Sequence, residues 1–208
     1  MNSAPEDSSA PPFVGLTGAI AAGKSEALAA LARLGAATLS SDAVVHELLG
    51  SDHIRELLVE RWGEEVAPGG AIDRARVGAI VFERPGELAW LESTLHPLVG
   101  ERIAAWRAEV PDDAPAAAVE VPLLFETGME AAFDATICVV ADDSLRAKRA
   151  GARGTDALAG REERQLPQDE KALRASHVVH NDAGIEELEA ELARVIGLIT
   201  ASGIEAGP

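Results

Sequence analysis

Cysteine is nearly absent from this chain of 208 residues, which contains only one. A single cysteine cannot form a disulfide within the chain, so stability must come from core packing. With 47% hydrophobic residues, the chain can bury a sizeable core without disulfides or structural metal. Cys138 lies in the apolar run Thr136–Val140. This position favours a small buried hydrophobic side chain over a reactive thiol.

The chain also lacks a long apolar run and a basic amino-terminal segment. No stretch approaches the roughly 20 apolar residues that a membrane-spanning helix needs. Residues 1–11 have neither the basic start nor the apolar centre of a signal peptide, and they predict a mobile N-terminal tail. Residues 203–208 predict a C-terminal tail. These features indicate a cytoplasmic protein without a membrane partner.

Positive charge is scarce, because 18 Lys and Arg residues face 35 Asp and Glu residues and leave a net charge of −17. Such a chain repels polyanions, which argues against nucleic acid and anionic membranes as partners. A phosphorylated small molecule remains compatible if a local positive pocket exists. Lysine occurs only at Lys24, Lys148 and Lys171, so arginine must supply most of that pocket. The candidate arginines are Arg146, Arg149, Arg153, Arg161 and Arg164.

Five short apolar segments are present, and most of them are followed by a helical pattern. This order predicts an α/β fold with a doubly wound, parallel, five-stranded sheet and helices on both faces. The predicted strands are residues 12–17, 36–40, 116–121, 135–140 and 177–180.

The lengths between these strands predict one domain, residues 12–202, with two insertions. Residues 43–115 show helical periodicity and suit a helical insertion that binds the substrate. Residues 144–174 contain several arginines and punctuating glycines, which are typical of a short mobile lid. The core of the domain would then consist of residues 12–42, 116–143 and 175–202.

A complete phosphate-binding loop follows the first predicted strand. The octapeptide Gly18–Ser25 has the pattern of a P-loop and is followed by an Ala/Leu-rich helical segment. Gly18 and Gly23 permit the tight loop and the close approach of the backbone to an anion. The strand, loop and helix predict a P-loop NTPase-like fold that binds a nucleotide.

The chemistry of this loop assigns a role to each part of it. Backbone amides of residues 21–26, including those of Ala21, Ala22 and Glu26, are expected to point at phosphate. Lys24 would reach the terminal phosphates, and the Ser25 hydroxyl would bind Mg²⁺.

Asp42 follows the second predicted strand, at the sheet edge where α/β proteins bind ligands. A carboxylate there could accept a proton from an attacking hydroxyl, or orient that hydroxyl and hold Mg²⁺ through water. The alternative is that Asp42 only caps a helix starting at Ala43. Position alone does not separate these two interpretations.

Glu120 and a pair of arginines are further charged residues that could act near the phosphates. Glu120 lies among apolar residues at the end of the third strand, where an unpaired carboxylate is costly. It should therefore face the Mg²⁺-phosphate cluster through water, or meet a basic partner. Arg149 and Arg153 are one helical turn apart and could neutralise a transferring phosphoryl group. The alternative for this pair is a solvated helix face.

Further motifs extend from about Val14 to the C-terminal helix. They are Leu16-Thr17-Gly18 with Gly23-Lys24-Ser25, Ser41-Asp42 with Val45-His46-Glu47-Leu48-Leu49, Ile72-Asp73-Arg74 with Val81-Phe82, Leu95-His96-Pro97-Leu98, Val121-Pro122-Leu123-Leu124-Phe125-Glu126-Thr127-Gly128, Arg149 and Arg153, Arg161 with Gln165, and His180-Asn181. Together these motifs resemble the dephospho-CoA kinase family. The Pro-Leu-Leu-Phe-Glu stretch and the His-Pro pair are more specific to it than the P-loop.

The resemblance implies an ATP-dependent kinase that phosphorylates the 3′-hydroxyl of dephospho-CoA, with Mg²⁺, as a monomer or small homo-oligomer. It places the base on Asp42, the ATP phosphates on residues 21–26, and the lid arginines on Arg149 and Arg153. It further places Asn181 beside the adenine of ATP, and His96, Pro122 and Leu123 near the acceptor. For His96, a packing or helix-start role is an equal alternative.

The chain departs from the family pattern in a few places. Ala19, Ala21 and Ala22 replace glycines of the P-loop, which requires that their φ angles be negative. Glu26 replaces a hydroxyl residue, so its side chain should point away from phosphate. Ser40 stands where an acid is frequent, and Glu120 where Asp is common. Another P-loop small-molecule or nucleoside-phosphate kinase is the alternative function. A GTPase switch is disfavoured because its guanine signature is missing.

Overall fold

The computed structural model describes residues 10–151 and 164–205, and within these residues five strands form one parallel sheet. The strand order across the sheet is β2-β3-β1-β4-β5. This arrangement confirms the predicted doubly wound sheet. The strands are β1 (Phe13–Gly18), β2 (Ala37–Ser40), β3 (Ala117–Glu120), β4 (Ala135–Val140) and β5 (His177–His180).

Helices connect and flank these strands. In chain order, the α-helices of the described residues are α1 (Lys24–Arg33), α2 (Ser41–Leu49), α3 (Asp52–Trp62), α4 (Arg74–Glu83), α5 (Glu87–Ala108), α6 (Asp143–Gly151), α7 (Gln168–Arg174) and α8 (Ile185–Glu205). None of the helices in this described part is both long and apolar enough to cross a membrane.

The sheet buries side chains on both faces, as expected for parallel strands covered by helices. Val14 and Leu16 of β1 pack with the apolar sides of α1 and α8 in one core cluster. Alternate residues such as Thr17 and Cys138 point to the other face, where α7 contacts β1 and β4. Burial raises the pKa of the Cys138 thiol to about 11. The thiol therefore stays protonated at neutral pH and acts as a packing group.

The strand order creates a ligand-binding edge beside β1. The chain leaves β1 towards β2 on one side of the sheet and leaves β4 towards β5 on the other. In parallel sheets, ligands bind at the carboxyl ends of strands where the connections diverge in this way. The P-loop follows β1 and α6 follows β4, so both begin at this point.

The chain divides into two compact units. The sheet unit consists of the residues up to Ser40 and from Val110 onwards, and the helical unit is Ser41–Glu109. Asp73 caps α4 of the helical unit by accepting from the amides of Ala75 and Arg76 at 3.0 and 3.2 Å. The core of this unit consists of Ile54, Leu58, Trp62, Val66, Val77, Ile80, Val81, Leu91 and Leu95.

Candidate active site

The loop between β1 and α1 holds a cation at the start of a helix. Lys24 Nζ donates to the carbonyl oxygens of Gly18 and Ala19, each at 3.0 Å. The ammonium group is thus held against the first residues of the loop. The N-terminus of α1 adds the positive end of its dipole and its free amides. This geometry is that of an anion-binding site.

Two glycines of the loop have no room for a side chain. A Cβ atom at Gly18 would lie 2.3 Å from the carbonyl oxygen of Val139 in β4. A Cβ atom at Gly23 would lie 1.9 Å from Asn181 Nδ2. Gly23 also has a φ angle of 101°, a backbone conformation that residues with a side chain rarely adopt. Glycine is therefore required at both positions, because Gly18 packs against β4 and Gly23 packs against Asn181, the residue after β5.

The alanines of the loop differ partly from the sequence expectation. Ala21 has φ of 61° and lies in the left-handed region, so the expected negative φ is wrong at this position. The conformation costs about 1–2 kcal/mol for a residue with a Cβ, and the surrounding loop must hold it. Ala19 and Ala22 are outside the left-handed region. The Ala22 amide donates to Ala19 O at 3.2 Å, within the loop itself.

Asn181 braces the loop from the end of β5. Its side-chain amide donates to Ala22 O at 2.9 Å, and its backbone oxygen accepts from Arg149 Nη2 at 3.0 Å. Both Asn181 and this hydrogen bond to the loop are buried. One asparagine therefore connects the P-loop to α6. The structure brings together two predicted site residues that are 32 positions apart in the chain.

Arg149 has a second guanidinium nitrogen that is not satisfied. Its Nη1 is buried and has no hydrogen-bond partner among the described residues. A Cβ atom built on Gly23 would lie 3.9 Å from this nitrogen. A buried charged donor without a partner is costly. Its position beside the loop therefore suits an anionic oxygen of a ligand.

Arg146 is a second arginine at the loop, which the sequence indicated only as one of five candidate arginines, without a specific role. Its Nε donates to Ile20 O at 3.2 Å, and its Nη1 pairs with Asp143 at 2.9 Å. Arg146 and Arg149 are three residues apart on α6, and such residues share a helix face. That spacing was the available signal. Arg153 and Arg161 lie outside the described residues.

A cavity of about 640 Å³ lies beside the loop, within the sheet unit. Ala19 and Ile20 of the loop form part of its wall, and Arg146, Gln165 and Gln168 contribute polar groups. Gln165 Oε1 is buried and has no hydrogen-bond partner in the described part of the chain. The volume falls in the range of small-molecule sites, which is about 300–1,000 Å³.

Three further residues that the sequence placed near the phosphates or the metal belong to the sheet unit, namely Glu120, Glu26 and Ser25. Glu120 is buried at the end of β3 and lies opposite Ser40 in the register of β2 and β3. Glu26 turns away from the phosphate loop, as expected, because its carboxylate pairs with Arg33 Nη2 at 3.0 Å. Ser25 is exposed in the first turn of α1. Its hydroxyl is therefore accessible to a ligand.

A buried ion pair that the sequence did not predict joins the segment after β3 to α7. Pro122 and Leu123 are half-buried there. Lys171 Nζ donates to Pro122 O at 2.6 Å and pairs with Glu126 Oε1 at 2.9 Å. Because lysine is rarely buried, the sequence gave no indication that Lys171 would lie in the interior.

The remaining predicted residues belong to the helical unit. Asp42 is exposed in the first turn of α2, which begins at Ser41. Its side chain makes no hydrogen bond within Ser41–Glu109, all of which the structure describes. The alternative that Asp42 caps a helix starting at Ala43 is therefore wrong. His96 is an exposed residue within α5.

Replacing Gly23 by alanine is expected to destabilise the protein and to prevent nucleotide binding. The new Cβ would displace Asn181 from Ala22 O, which leaves buried polar groups without partners at a cost of about 1–3 kcal/mol. The left-handed φ adds about 1–2 kcal/mol. Urea unfolding and binding of an ATP analogue measure the two effects.

Gly69→Ala is the matched control for this variant. Gly69 has φ of 71°, but a Cβ atom there has nothing within 4 Å. It should show only the backbone penalty and keep nucleotide binding. Equal losses of stability in the two variants would show that the contact with Asn181 is unimportant.

The chain is similar to known proteins over most of its length. The chain is 38% identical to the dephospho-CoA kinase of a Synechococcus strain, over 86% of this chain and 92% of the relative. It is 36% identical to that of Deinococcus radiodurans, over 91% and 93%. A crystal structure from Thermus thermophilus superposes with a TM-score of 0.78 at 33% identity, covering 91% of this chain and 98% of the other.

A more distant structure shares the fold. The dephospho-CoA kinase of Campylobacter jejuni has a TM-score of 0.61 at 24% identity, covering 90% and 97% of the two chains. The sequence model that describes dephospho-CoA kinase matches residues 12–187. The motif resemblance is thereby confirmed, and the chain belongs to the dephospho-CoA kinase family.

Proposed function

We propose that this protein transfers the γ-phosphoryl group of MgATP to the 3′-hydroxyl of dephospho-CoA, giving CoA and ADP. A bond forms between the hydroxyl oxygen and the γ-phosphorus, while the bond to the β,γ-bridging oxygen breaks and its electrons leave with ADP. The hydroxyl proton passes to Asp42. Family membership supports the identity of both substrates.

The observation that carries the proposal is the buried Nη1 of Arg149. It lies beside Gly23 of the P-loop, and it has no hydrogen-bond partner among the described residues. Phosphoryl transfer needs little covalent chemistry from the protein, because positioning and charge neutralisation dominate. An arginine donor at the P-loop supplies that neutralisation through a charge-assisted hydrogen bond.

The other ATP contacts follow from the same loop. Lys24 would exchange its bonds to Gly18 O and Ala19 O for the terminal phosphates of ATP. Amides of residues 21–26 would hold the phosphates, and Arg153 would add a second lid cation. Asn181 would lie beside the adenine, while its side chain keeps the loop in place.

Magnesium enters as part of MgATP. Mg²⁺ prefers oxygen ligands and is usually held by few protein groups together with substrate phosphates. The exposed Ser25 hydroxyl at the start of α1 fits this requirement. Glu120, buried at the end of β3, would act through water.

The remaining predicted residues concern the acceptor substrate, dephospho-CoA. We propose Asp42 as the base, and His96, Pro122 and Leu123 as residues near dephospho-CoA. Residues 43–115 would form the acceptor-binding insertion, and residues 144–174 the lid. α7 and all but the first residue of α6 fall within that segment.

The proposed function also includes the partners, the cellular location and the oligomeric state of the enzyme. The net charge of −17 disfavours nucleic acid and anionic membranes as partners. We propose a cytoplasmic enzyme that works as a monomer or small homo-oligomer on its two small-molecule substrates.

Incubation of the purified protein with MgATP and dephospho-CoA tests the function. CoA should accumulate, with a mass increase of one phosphoryl group, in equal amounts with ADP. Other nucleoside and small-alcohol acceptors should give at most slow turnover. Absence of CoA, or faster turnover of another acceptor, would overturn the proposed substrate.

A further inference from the structure

Lys171 is a charged residue buried completely within the sheet unit. Its side chain has 0% exposure, although lysine is rarely buried. The ammonium group has two described partners, Pro122 O at 2.6 Å and Glu126 Oε1 at 2.9 Å. The same carboxylate oxygen accepts from the amide of Leu166 at 2.7 Å. Lys171 therefore joins α7 to the segment after β3.

Stability alone explains this buried pair poorly. Two charges must be removed from water, and a well-packed apolar pair is often as stable or more stable. In addition, Glu126 Oε2 is buried and has no hydrogen-bond partner in the described part of the chain. The pair thus retains an uncompensated acceptor. We therefore ask which group the Lys171 ammonium holds in place.

The group that it holds is the carbonyl of Pro122. Thr17 Oγ1 also approaches this oxygen, but at 3.5 Å, so Lys171 provides the strong donor. Thr17 is fully buried and directly precedes Gly18 of the P-loop. The orientation of the Pro122–Leu123 peptide therefore depends on a cation from α7, at the carboxyl end of the strand beside β1.

We propose that Lys171 is a positioning residue for the acceptor substrate. It fixes the Pro122–Leu123 peptide in the orientation that dephospho-CoA requires, and it makes this orientation depend on α7. Lys171 does not touch the reacting atoms. This inference rests on the proposed function, because Pro122 and Leu123 are assigned there to the acceptor side.

Two variants separate positioning from stability. Lys171→Met removes the donor and leaves Glu126 as a buried unpaired charge, which should lower the melting temperature. In the double variant Lys171→Met with Glu126→Gln, the charge is gone, and the glutamine oxygen can still accept from the Leu166 amide. The double variant should regain much of the lost melting temperature.

The kinetic signature distinguishes the two roles. Both variants should raise KM for dephospho-CoA about tenfold or more, since Pro122 O has lost its charged donor. Affinity for an ATP analogue should change less than about twofold. Lys148→Met, on the exposed side of α6, is the matched control and should keep wild-type values.

The outcomes are distinguishable. If the wild type makes no CoA, the proposed function fails, and this inference fails with it. If the wild type is active and the double variant has a wild-type KM for dephospho-CoA, the positioning role alone is wrong. The same holds if ATP affinity falls as much as acceptor affinity, or if the kinetic loss disappears when stability returns.

Discussion

Replacing Asp42 by asparagine is expected to lower kcat for CoA formation by about 10²–10⁴-fold, the usual contribution of a general base. Asparagine has nearly the same shape but cannot accept the hydroxyl proton. Asp42 is exposed and makes no hydrogen bond within its own unit, which the structure describes completely. Its removal should therefore cost little stability. Steady-state kinetics with dephospho-CoA measure kcat, and titration with an ATP analogue should show unchanged affinity.

The control for this variant is Asp52→Asn. Asp52 is also an acid in the first turn of a helix, α3, with a side chain that is 84% exposed. Both substitutions remove a favourable charge at a helix N-terminus, worth about 0.3–1 kcal/mol. Only Asp42→Asn should affect turnover. An undiminished kcat would remove Asp42 from the mechanism, and equal losses in both variants would point to a helix effect.

The sheet could be predicted from the sequence because its strands are short apolar runs separated by helical patterns. The boundaries agree to within one residue, as for β1, which was predicted as 12–17 and is Phe13–Gly18. Strands buried on both faces give this continuous signal. The P-loop was predictable for a different reason, since Gly18 and Gly23 have no space for a Cβ atom.

The parts of the site that escaped prediction depend on tertiary contacts. Ala21 adopts a positive φ that its residue type disfavours, so the loop and its neighbours impose it. Lys171 meets Pro122 across 49 positions of sequence, and no local pattern reports such a contact. The spaced arginines were predicted to supply a positive pocket, but only the structure shows that Arg146 donates to the carbonyl oxygen of Ile20 in the loop.

Replacing Arg149 by methionine is expected to have the other large effect, a loss in kcat on the order of 10³-fold or more, as for arginines that neutralise transferred phosphoryl groups. Its Nη1 has no hydrogen-bond partner among the described residues, while Nη2 donates to Asn181 O at 3.0 Å. The loss should exceed the loss in ATP affinity, because an interaction that neutralises the transferring phosphoryl group is stronger in the transition state than in the ground state. Single-turnover kinetics and ATP-analogue binding measure the two quantities.

Arg149→Lys and Arg174→Met complete this experiment. Lysine keeps the charge and can reach Asn181 O, but it cannot serve both partners with the planar fork of arginine, so an intermediate rate is expected. Arg174 lies on α7, is exposed and pairs with Glu170 at 2.6 Å. Its replacement removes an equal charge without approaching the loop, and turnover should be unchanged. Equal loss in Arg149→Met and Arg174→Met would mean that net charge acts, and a kcat loss no larger than the affinity loss would restrict Arg149 to ATP binding.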